Sequence, residues 1–377
     1  MMLRGLAAKM SLHENNDCCL RQNRKEETLE ITQKTTLGEL YDYEPLRKAA
    51  RYLVGCSDPN FYRSIAGDSF ERMHEAVPPW NSSDMVFGVQ RLVALAERGI
   101  PYFHAVYSEP EIAHDPRKDD VKLFYFPAEY EKKKTNHYIL LCSGGAFHNV
   151  CNVQEAFPVA ARLNELGITA FCLDYRTWSK EYAQSGVAQL TMEDVSAALS
   201  YIDAHADEFG VEAGKYAMGG FSAGGFVAGS WGTETNGYRA YGKEKPELLM
   251  LDYAFLSTDS LQELPQEDQE NIKCLVGETV TREKLHQVSV IEHVNSDYPA
   301  VALVQCEDDS AMPFSNWVRM KKTLEENGVP HIVRSGKKGG HGYGLGTGTD
   351  VAGWVEEAAA FWMAGLAAEN AEEDSVK

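Results

Sequence analysis

The sequence predicts an α/β fold, in which a mostly parallel, twisted β-sheet carries helices on both faces and a helical extension precedes it. From about residue 120, short apolar runs alternate with amphipathic stretches long enough for helices. Apolar strands of this kind are typical of parallel sheets that are covered on both faces. The glycine-rich segment 219–225 follows one of these runs and leads into a stretch of small residues. It therefore marks a tight turn between a strand and a helix.

The individual elements follow from apolar periodicity and from residues that begin or end helices. Gly167 and Gly328 follow two amphipathic stretches, as glycine commonly does at a helix C-terminus. Thr191, with Asp194 three residues later, resembles a helix-start box. The pattern predicts strands at 121–126, 138–142, 168–173, 215–218, 248–251, 300–304 and 331–333, and helices at 153–166, 191–209 and 316–327.

The N-terminal part of the chain lacks this alternation. Apolar spacing predicts helices at 46–53, 61–77 and 84–98, and prolines separate them. Such a segment either packs on the sheet domain or shapes a substrate pocket. The predicted segments are a disordered N-terminal stretch (1–35), a helical extension (36–115), the α/β domain (116–366) and an acidic tail that is mobile and solvated (367–377).

Charge and cysteine content limit the partners and the compartment. The 377-residue chain has a net charge of -20, which argues against nucleic acid or an anionic membrane as a partner. Its eight cysteines show no zinc-ligand spacing, and Cys142, Cys172 and Cys306 lie in apolar strand-like runs. We expect these three to be buried free thiols, which indicates a reducing compartment. Without a membrane-spanning run or a signal-like N-terminus, the expected location is the cytoplasm.

The motif Gly-x-Ser-x-Gly carries the chemistry. It consists of Gly220, Ser222 and Gly224, and it occupies the predicted strand-to-helix turn. In this context the motif holds a serine in a strained, exposed position at the top of a sheet. A serine hydroxyl is a weak nucleophile, so catalysis also requires a histidine and a carboxylate within reach.

Four histidines follow the serine, and one has the expected setting for a general base. His341 lies in the glycine-rich loop 339–344, directly after the last predicted strand. His286 and His293 lie in charge-rich, helix-like stretches, and His331 begins a strand. Because this architecture places the base on a loop after the last strand, His341 is the predicted base.

The acid should follow the strand that ends near residue 306. Glu307, Asp308 and Asp309 all lie there, and Asp309 stands four residues before Pro313, close to the start of a helix. A carboxylate at that point can accept the imidazole N–H and fix its tautomer. We predict Asp309 as the acid and keep Asp308 as the alternative.

Two backbone N–H groups are needed to bind an oxyanion. Ala223, directly after the serine, is one predicted donor, and the loop after strand 138–142 supplies Gly145 or Ala146 as the other. His148 and Tyr343 should lie near the same pocket. They either contact the substrate or pack within their loops.

Taken in order, these segments resemble those of the α/β-hydrolase esterases related to acetylxylan and feruloyl esterases. The matching segments are 141–147, 157–167, 173–176, 219–225, 275–277, 289–294, 309–313 and 340–345. The resemblance implies an α/β-hydrolase fold and carboxylic-ester hydrolysis, often the deacetylation of sugars. It places the catalytic triad on Ser222, Asp309 and His341.

The sequence therefore predicts a serine esterase whose substrate is a small-molecule ester, such as an acetylated sugar. The mechanism needs neither a metal nor an organic cofactor. The sequence does not decide whether the protein forms a homo-oligomer. A serine peptidase or acyltransferase with the same triad is the first alternative, and a non-catalytic binding protein on the same fold is the second.

Overall fold

An eight-stranded sheet forms the centre of the structure, a computed structural model that describes residues 29–263 and 266–376. Thr32–Lys377 form one compact unit. The sheet strands are β1 (Phe103–Ala105), β2 (Lys122–Phe126), β3 (Tyr138–Cys142), β4 (Thr169–Asp174), β5 (Tyr216–Phe221), β6 (Leu248–Asp252), β7 (Ala300–Cys306) and β8 (His331–Gly336).

The strand order across the sheet is β8-β7-β6-β5-β3-β4-β2-β1. Strands β3 to β8 run parallel, whereas β2 pairs antiparallel with both β4 and β1. Strands β3 and β5 are neighbours, but the chain after β3 leads to β4 on one side and the chain after β5 leads to β6 on the other side. The loops that follow β3 and β5 therefore run in opposite directions from adjacent strand ends. A crevice at such a switch point is where α/β sheets usually bind ligands.

Helices of the N-terminal extension precede β2, and those that follow β2 flank the sheet, as the alternating pattern predicted. They are α1 (Leu37–Asp42), α2 (Phe61–Ser64), α3 (Phe70–Ala76), α4 (Ser82–Glu97), α5 (Glu109–His114), α6 (Ala156–Glu165), α7 (Ala188–Ala204), α8 (Ala206–Phe209), α9 (Ser222–Trp231), α10 (Gln266–Val276), α11 (Arg282–Val288), α12 (Ser315–Glu326) and α13 (Trp354–Val376). None of those in the described residues has both the length and the apolar character needed to cross a bilayer.

The core is built from the apolar strands and the helix faces that cover them. Every residue of β3, β4, β5 and β6 is buried. The predicted buried thiols of Cys142, Cys172 and Cys306 lie in this core, and all three are free. These positions confirm that apolar runs in the sequence mark central strands.

The N-terminal extension is helical but less regular than predicted. Predicted helix 46–53 is a 3-10 helix at Glu44–Tyr52, and predicted helix 61–77 is split into α2 and α3. The extension also contributes strand β1 to the sheet edge. Its helix α4 packs so closely on α6 that a Cβ on Gly88 would lie 2.5 Å from the nitrogen of Pro158.

The structure differs from the predictions of a disordered N-terminal stretch and a mobile C-terminal tail. Residues 32–35 form a turn in which the Thr32 N–H donates to Thr35 Oγ1 at 2.9 Å, so predicted disorder does not extend to 35. Residues 1–28 lie outside the described part. Helix α13 continues to Val376, so the acidic tail predicted to be mobile is helical.

The predicted helix start at Thr191 is also wrong. Helix α7 begins at Ala188, and Thr191 lies within its first turn. Asp194 accepts hydrogen bonds from the backbone and the guanidinium of Arg176, at 2.8 Å and 2.9 Å. Asp194 therefore forms a buried ion pair with Arg176 and does not cap the helix.

Candidate active site

Ser222 is the first residue of α9 and directly follows β5. Its φ angle is 52°, a left-handed conformation that is unusual for a residue with a side chain. A Cβ on Gly220 would lie 2.1 Å from the Gly224 oxygen, and one on Gly224 would lie 2.0 Å from the Cys142 oxygen. The two glycines are therefore required for the turn that presents the serine.

His341 and Asp309 extend a hydrogen-bonded chain from this serine. His341 Nε2 lies 2.9 Å from Ser222 Oγ, and His341 Nδ1 lies 2.9 Å from Asp309 Oδ2. The other Asp309 oxygen accepts the N–H groups of Ala311 and Met312 at 3.0 Å and 2.7 Å. The Asp309 side chain is fully buried, whereas that of His341 is 22% exposed. This geometry allows a proton to pass from a serine hydroxyl to an imidazole held by a carboxylate.

The alternative acid and the other three histidines that follow Ser222 make different contacts. Asp308 accepts the N–H groups of Gly339 and Gly340 at 2.9 Å and 2.8 Å, and so holds the loop that carries the histidine. His286 pairs with Glu292. His331 contacts the carbonyl of Val329, and His293 contacts the carbonyls of residues 286 and 287.

The loop after β3 is a tight turn with three successive residues at positive φ. Gly145, Ala146 and Phe147 have positive φ angles of 132°, 52° and 64°. The Gly145 carbonyl accepts the N–H groups of His148 and Asn149 at 2.9 Å and 3.0 Å, which closes the turn. Within residues 29–263 and 266–376, the N–H groups of Gly145 and Ala146 donate to no backbone carbonyl. They line the same cavity as Ser222 and Ala223.

That cavity has a volume of about 350 Å³ and lies at the carboxyl edge of the sheet. Its mostly apolar wall comes from the loop after β3, the chain after β6, helix α10 and the loop after β7; the residues are Phe147, Phe255, Ile272, Ala311 and Met312. Trp80 of the N-terminal extension forms another part of the wall. A Cβ on Gly342 would lie 2.7 Å from Trp80 Nε1, so the extension packs directly against the loop of His341.

Two predicted substrate contacts do not line the cavity. Tyr343 is buried, and its hydroxyl donates to Asp252 Oδ1 at 2.5 Å. His148 instead lies with Nε2 3.2 Å from Cys274 Sγ and packs edge-on against Trp178. Tyr343 is thus a core residue, and the half-buried His148 packs against neighbouring side chains, in line with the alternative interpretation of their positions.

Glu155 is a cavity residue that sequence reasoning missed. It lies directly before α6, is only 4% exposed, and lines the cavity beside Ser222. Its carboxyl accepts hydrogen bonds from the Gly144 N–H at 2.5 Å and from Tyr253 Oη at 3.1 Å. Burial raises the pKa of Glu155 to about 7. In the sequence, the only indication of this role is that a charged residue precedes an apolar helix and follows the pair Gly144 and Gly145.

A second cavity, of about 400 Å³, lies between α7, α9 and α11 and contains none of the three linked residues. Across the described residues, no cluster of three or more His, Cys, Asp or Glu side chains is placed to hold a metal ion. The linked serine, histidine and aspartate therefore identify the first cavity as the candidate active site.

Comparison with known proteins identifies the family of the chain. The family model described as BD-FAE matches residues 124–324, which is more than half of the chain. The chain belongs to the BD-FAE family. The BD-FAE match includes Ser222 and Asp309 and ends before His341. A curated relative, endo-1,4-beta-xylanase B of Butyrivibrio fibrisolvens, is 25% identical over 223 residues, which are 57% of this chain. The aligned part spans 34% of that xylanase.

Solved structures show that this BD-FAE protein has the α/β-hydrolase fold. An acetyl ester-xyloside bifunctional hydrolase of Caldicellulosiruptor lactoaceticus is 23% identical, with a TM-score of 0.57 over 70% of this chain and 95% of the other. A propionate-bound esterase of Thermogutta terrifontis is 19% identical, with a TM-score of 0.54 over 70% and 94%. A sugar hydrolase of Lactococcus lactis is 19% identical, with a TM-score of 0.54 over 65% and 94%.

Proposed function

We propose that the protein is a serine esterase that hydrolyses small carboxylic esters through an acyl-enzyme. The observation that carries this proposal is the hydrogen-bonded chain from Ser222 through His341 to Asp309 at the edge of a cavity. Ser222 Oγ attacks the ester carbonyl while His341 Nε2 takes its proton. Asp309 holds the imidazole in the required tautomer and stabilises the imidazolium.

The remaining steps use the loop after β3. The tetrahedral oxyanion is bound by the N–H of Ala223 together with that of Gly145 or Ala146. His341 then protonates the leaving alcohol, and the acyl group stays on Ser222. A water molecule, deprotonated by His341, attacks this ester and releases the acid, which regenerates the enzyme.

The substrate that we propose is a short-chain acyl ester, in particular an acetyl ester of a sugar. A cavity of about 350 Å³ with apolar walls supports a small acyl group. Structurally similar proteins support the same class, since they include an acetyl ester-xyloside bifunctional hydrolase and a sugar hydrolase. The net charge of -20 supports a small-molecule substrate and not a polyanion. We place the reaction in the cytoplasm because Cys142, Cys172 and Cys306 are buried free thiols.

A panel of substrates tests the proposal. We expect the purified protein to hydrolyse p-nitrophenyl acetate and acetylated xylo-oligosaccharides, with kcat/KM falling as the acyl chain lengthens from acetate to octanoate. Aminoacyl-nitroanilides should be cleaved far more slowly. Turnover of the nitroanilides but not of the esters would favour a peptidase and would contradict the esterase proposal. Transfer of the acetyl group to an added alcohol in preference to water would indicate an acyltransferase.

A further inference from the structure

Glu155 is a buried carboxyl group beside the proposed nucleophile that the Ser222–His341–Asp309 chain does not use. A buried carboxyl is costly to keep unless directed hydrogen bonds compensate it. Glu155 has two such bonds, one with each of its oxygens, and they lead to different loops around the cavity. The carboxyl therefore connects two parts of the site that are far apart in the sequence.

The first bond fixes the loop after β3. Glu155 Oε2 accepts the N–H of Gly144 at 2.5 Å, and the Gly144 carbonyl accepts the N–H of Cys151 at 3.0 Å. A Cβ on Gly144 would lie 2.7 Å from the Cβ of Ser222, so this residue packs directly against the nucleophile. The next two residues, Gly145 and Ala146, carry the N–H groups proposed to bind the oxyanion. Holding Gly144 therefore sets the direction of these donors.

The second bond reaches the loop of the proposed base. Tyr253 Oη donates to Glu155 Oε1 at 3.1 Å and accepts the N–H of Gly344 at 3.2 Å. The Tyr253 ring packs edge-on against the His341 ring, with 4.9 Å between centroids. Tyr253 itself has a positive φ of 37°, which packing around its ring and hydroxyl must maintain.

We propose that Glu155 is a positioning residue. It holds the loop after β3 through Gly144 and the loop of His341 through Tyr253, so that the distance and orientation between the two loops stay fixed. This inference rests on the proposed esterase function. Its consequence is that Glu155 contributes to binding of the tetrahedral transition state and not to binding of the ground-state ester. Such a contribution changes kcat while KM stays nearly constant.

Two conservative variants and their combination test the inference. Glu155→Gln keeps the shape and one acceptor oxygen, and Tyr253→Phe removes only the hydroxyl. Tyr298→Phe is the matched control, because Tyr298 is also buried and its hydroxyl donates to the Gly229 carbonyl at 2.7 Å away from the cavity. For each protein, kcat and KM with p-nitrophenyl acetate are normalised to active sites titrated with a fluorophosphonate. The inhibition constant of a trifluoromethyl ketone, which forms a tetrahedral adduct, is measured in parallel.

We expect Glu155→Gln and Tyr253→Phe each to lower kcat by about 10–100-fold with KM changed by no more than about twofold. Ketone affinity should fall by a similar factor. The double variant should lose little more than the worse single variant, because both act on one network. Tyr298→Phe should keep its kinetics even if its melting temperature falls.

Unchanged kcat and ketone affinity per titrated site in both Glu155→Gln and Tyr253→Phe would overturn the inference and leave the esterase proposal intact. Additive losses in the double variant would also overturn it. If wild-type protein neither hydrolyses the ester nor reacts with the fluorophosphonate, the proposed function itself fails and this inference falls with it. Should Glu155→Gln not fold, Tyr253→Phe gives the same kinetic comparison alone.

Discussion

Asp309 Oδ2 lies 2.9 Å from His341 Nδ1, whereas the adjacent Asp308 contacts only the backbone of the histidine loop among the described residues. Two neighbouring carboxylates thus support the same loop in different ways. Asp309 can stabilise a charge that forms on the imidazole during the reaction. Asp308 holds the backbone N–H groups of Gly339 and Gly340 and does not touch the imidazole.

This division of roles predicts different effects for two matched substitutions. Asp309→Asn should lower kcat by about 10³–10⁴-fold, because it removes the charge and favours the wrong histidine tautomer. Asp308→Asn keeps an acceptor oxygen for the loop, so kcat should stay within about tenfold of wild type. Ester hydrolysis per titrated active site measures both effects. Equal losses in the two variants, or full activity of Asp309→Asn, would contradict the assignment of Asp309.

Gly144 is predicted to have no room for a side chain. A Cβ there would lie 2.7 Å from Ser222 Cβ and 2.8 Å from the Phe221 oxygen. Gly144→Ala should therefore displace the nucleophile, lower kcat by about 10²-fold or more, and cost about 1–3 kcal/mol of unfolding free energy. Gly67→Ala is the control, since nothing lies within 4 Å of its added Cβ. Urea unfolding and ester kinetics measure both, and an active, stable Gly144→Ala protein would show that the loop geometry is wrong.

Trp80 is predicted to make the N-terminal extension part of the substrate pocket. Its side chain lines the cavity and packs against Gly342 beside the proposed base. Trp80→Ala should raise KM for an acetylated sugar by about tenfold. Tyr62→Ala is the control within the same extension, because Tyr62 packs on Tyr41 with 5.2 Å between ring centroids and does not line the cavity. A KM that changes equally in both variants would indicate general loosening of the extension.

The environment of Glu155 predicts how the stability of the protein depends on pH. Burial raises its pKa to about 7, although hydrogen bonds from Gly144 and Tyr253 and the attraction of His341 oppose the shift. The titratable groups that interact with it on packed elements are His341, Tyr253, Asp252, Cys151 and Tyr175.

Because this pKa is raised in the folded state, the carboxyl releases its proton more readily in the unfolded chain. Wild-type stability relative to Glu155→Gln should therefore fall as pH rises from about 4.5 to above about 7, by up to about 3 kcal/mol. Urea unfolding of both proteins across this pH range gives the difference, in which the other titrating groups largely cancel. A difference that stays flat, or that grows in favour of wild type with rising pH, would contradict a raised pKa.

Local patterns were enough to predict most of the sheet and the positions of the linked residues. The apolar runs of β3 and β4 are buried throughout, so their composition alone marks them as central strands. The turn at Ser222 uses glycines that packing requires, and such a steric demand is visible in the sequence. The positions of Asp309 and His341 follow from the chain order that the fold imposes on loops after its last strands.

Features that depend on tertiary contacts could not be predicted in the same way. Asp194 has the spacing of a helix cap, but its ion pair with Arg176 overrides that local preference. Strand β1 is three residues long and becomes a strand by pairing with β2. Acidic residues cluster in the last turns of helix α13 without an apolar face, a composition that predicts a solvated tail. Glu155 and Trp80 reach the cavity only because distant segments meet there.

Covalent labelling of Ser222 tests the account most directly. A fluorophosphonate should add one label per chain, peptide mapping should place it on Ser222, and Ser222→Ala should abolish both labelling and hydrolysis of p-nitrophenyl acetate. Labelling of a different residue, or undiminished labelling and hydrolysis in Ser222→Ala, would contradict the claim that this serine is the nucleophile.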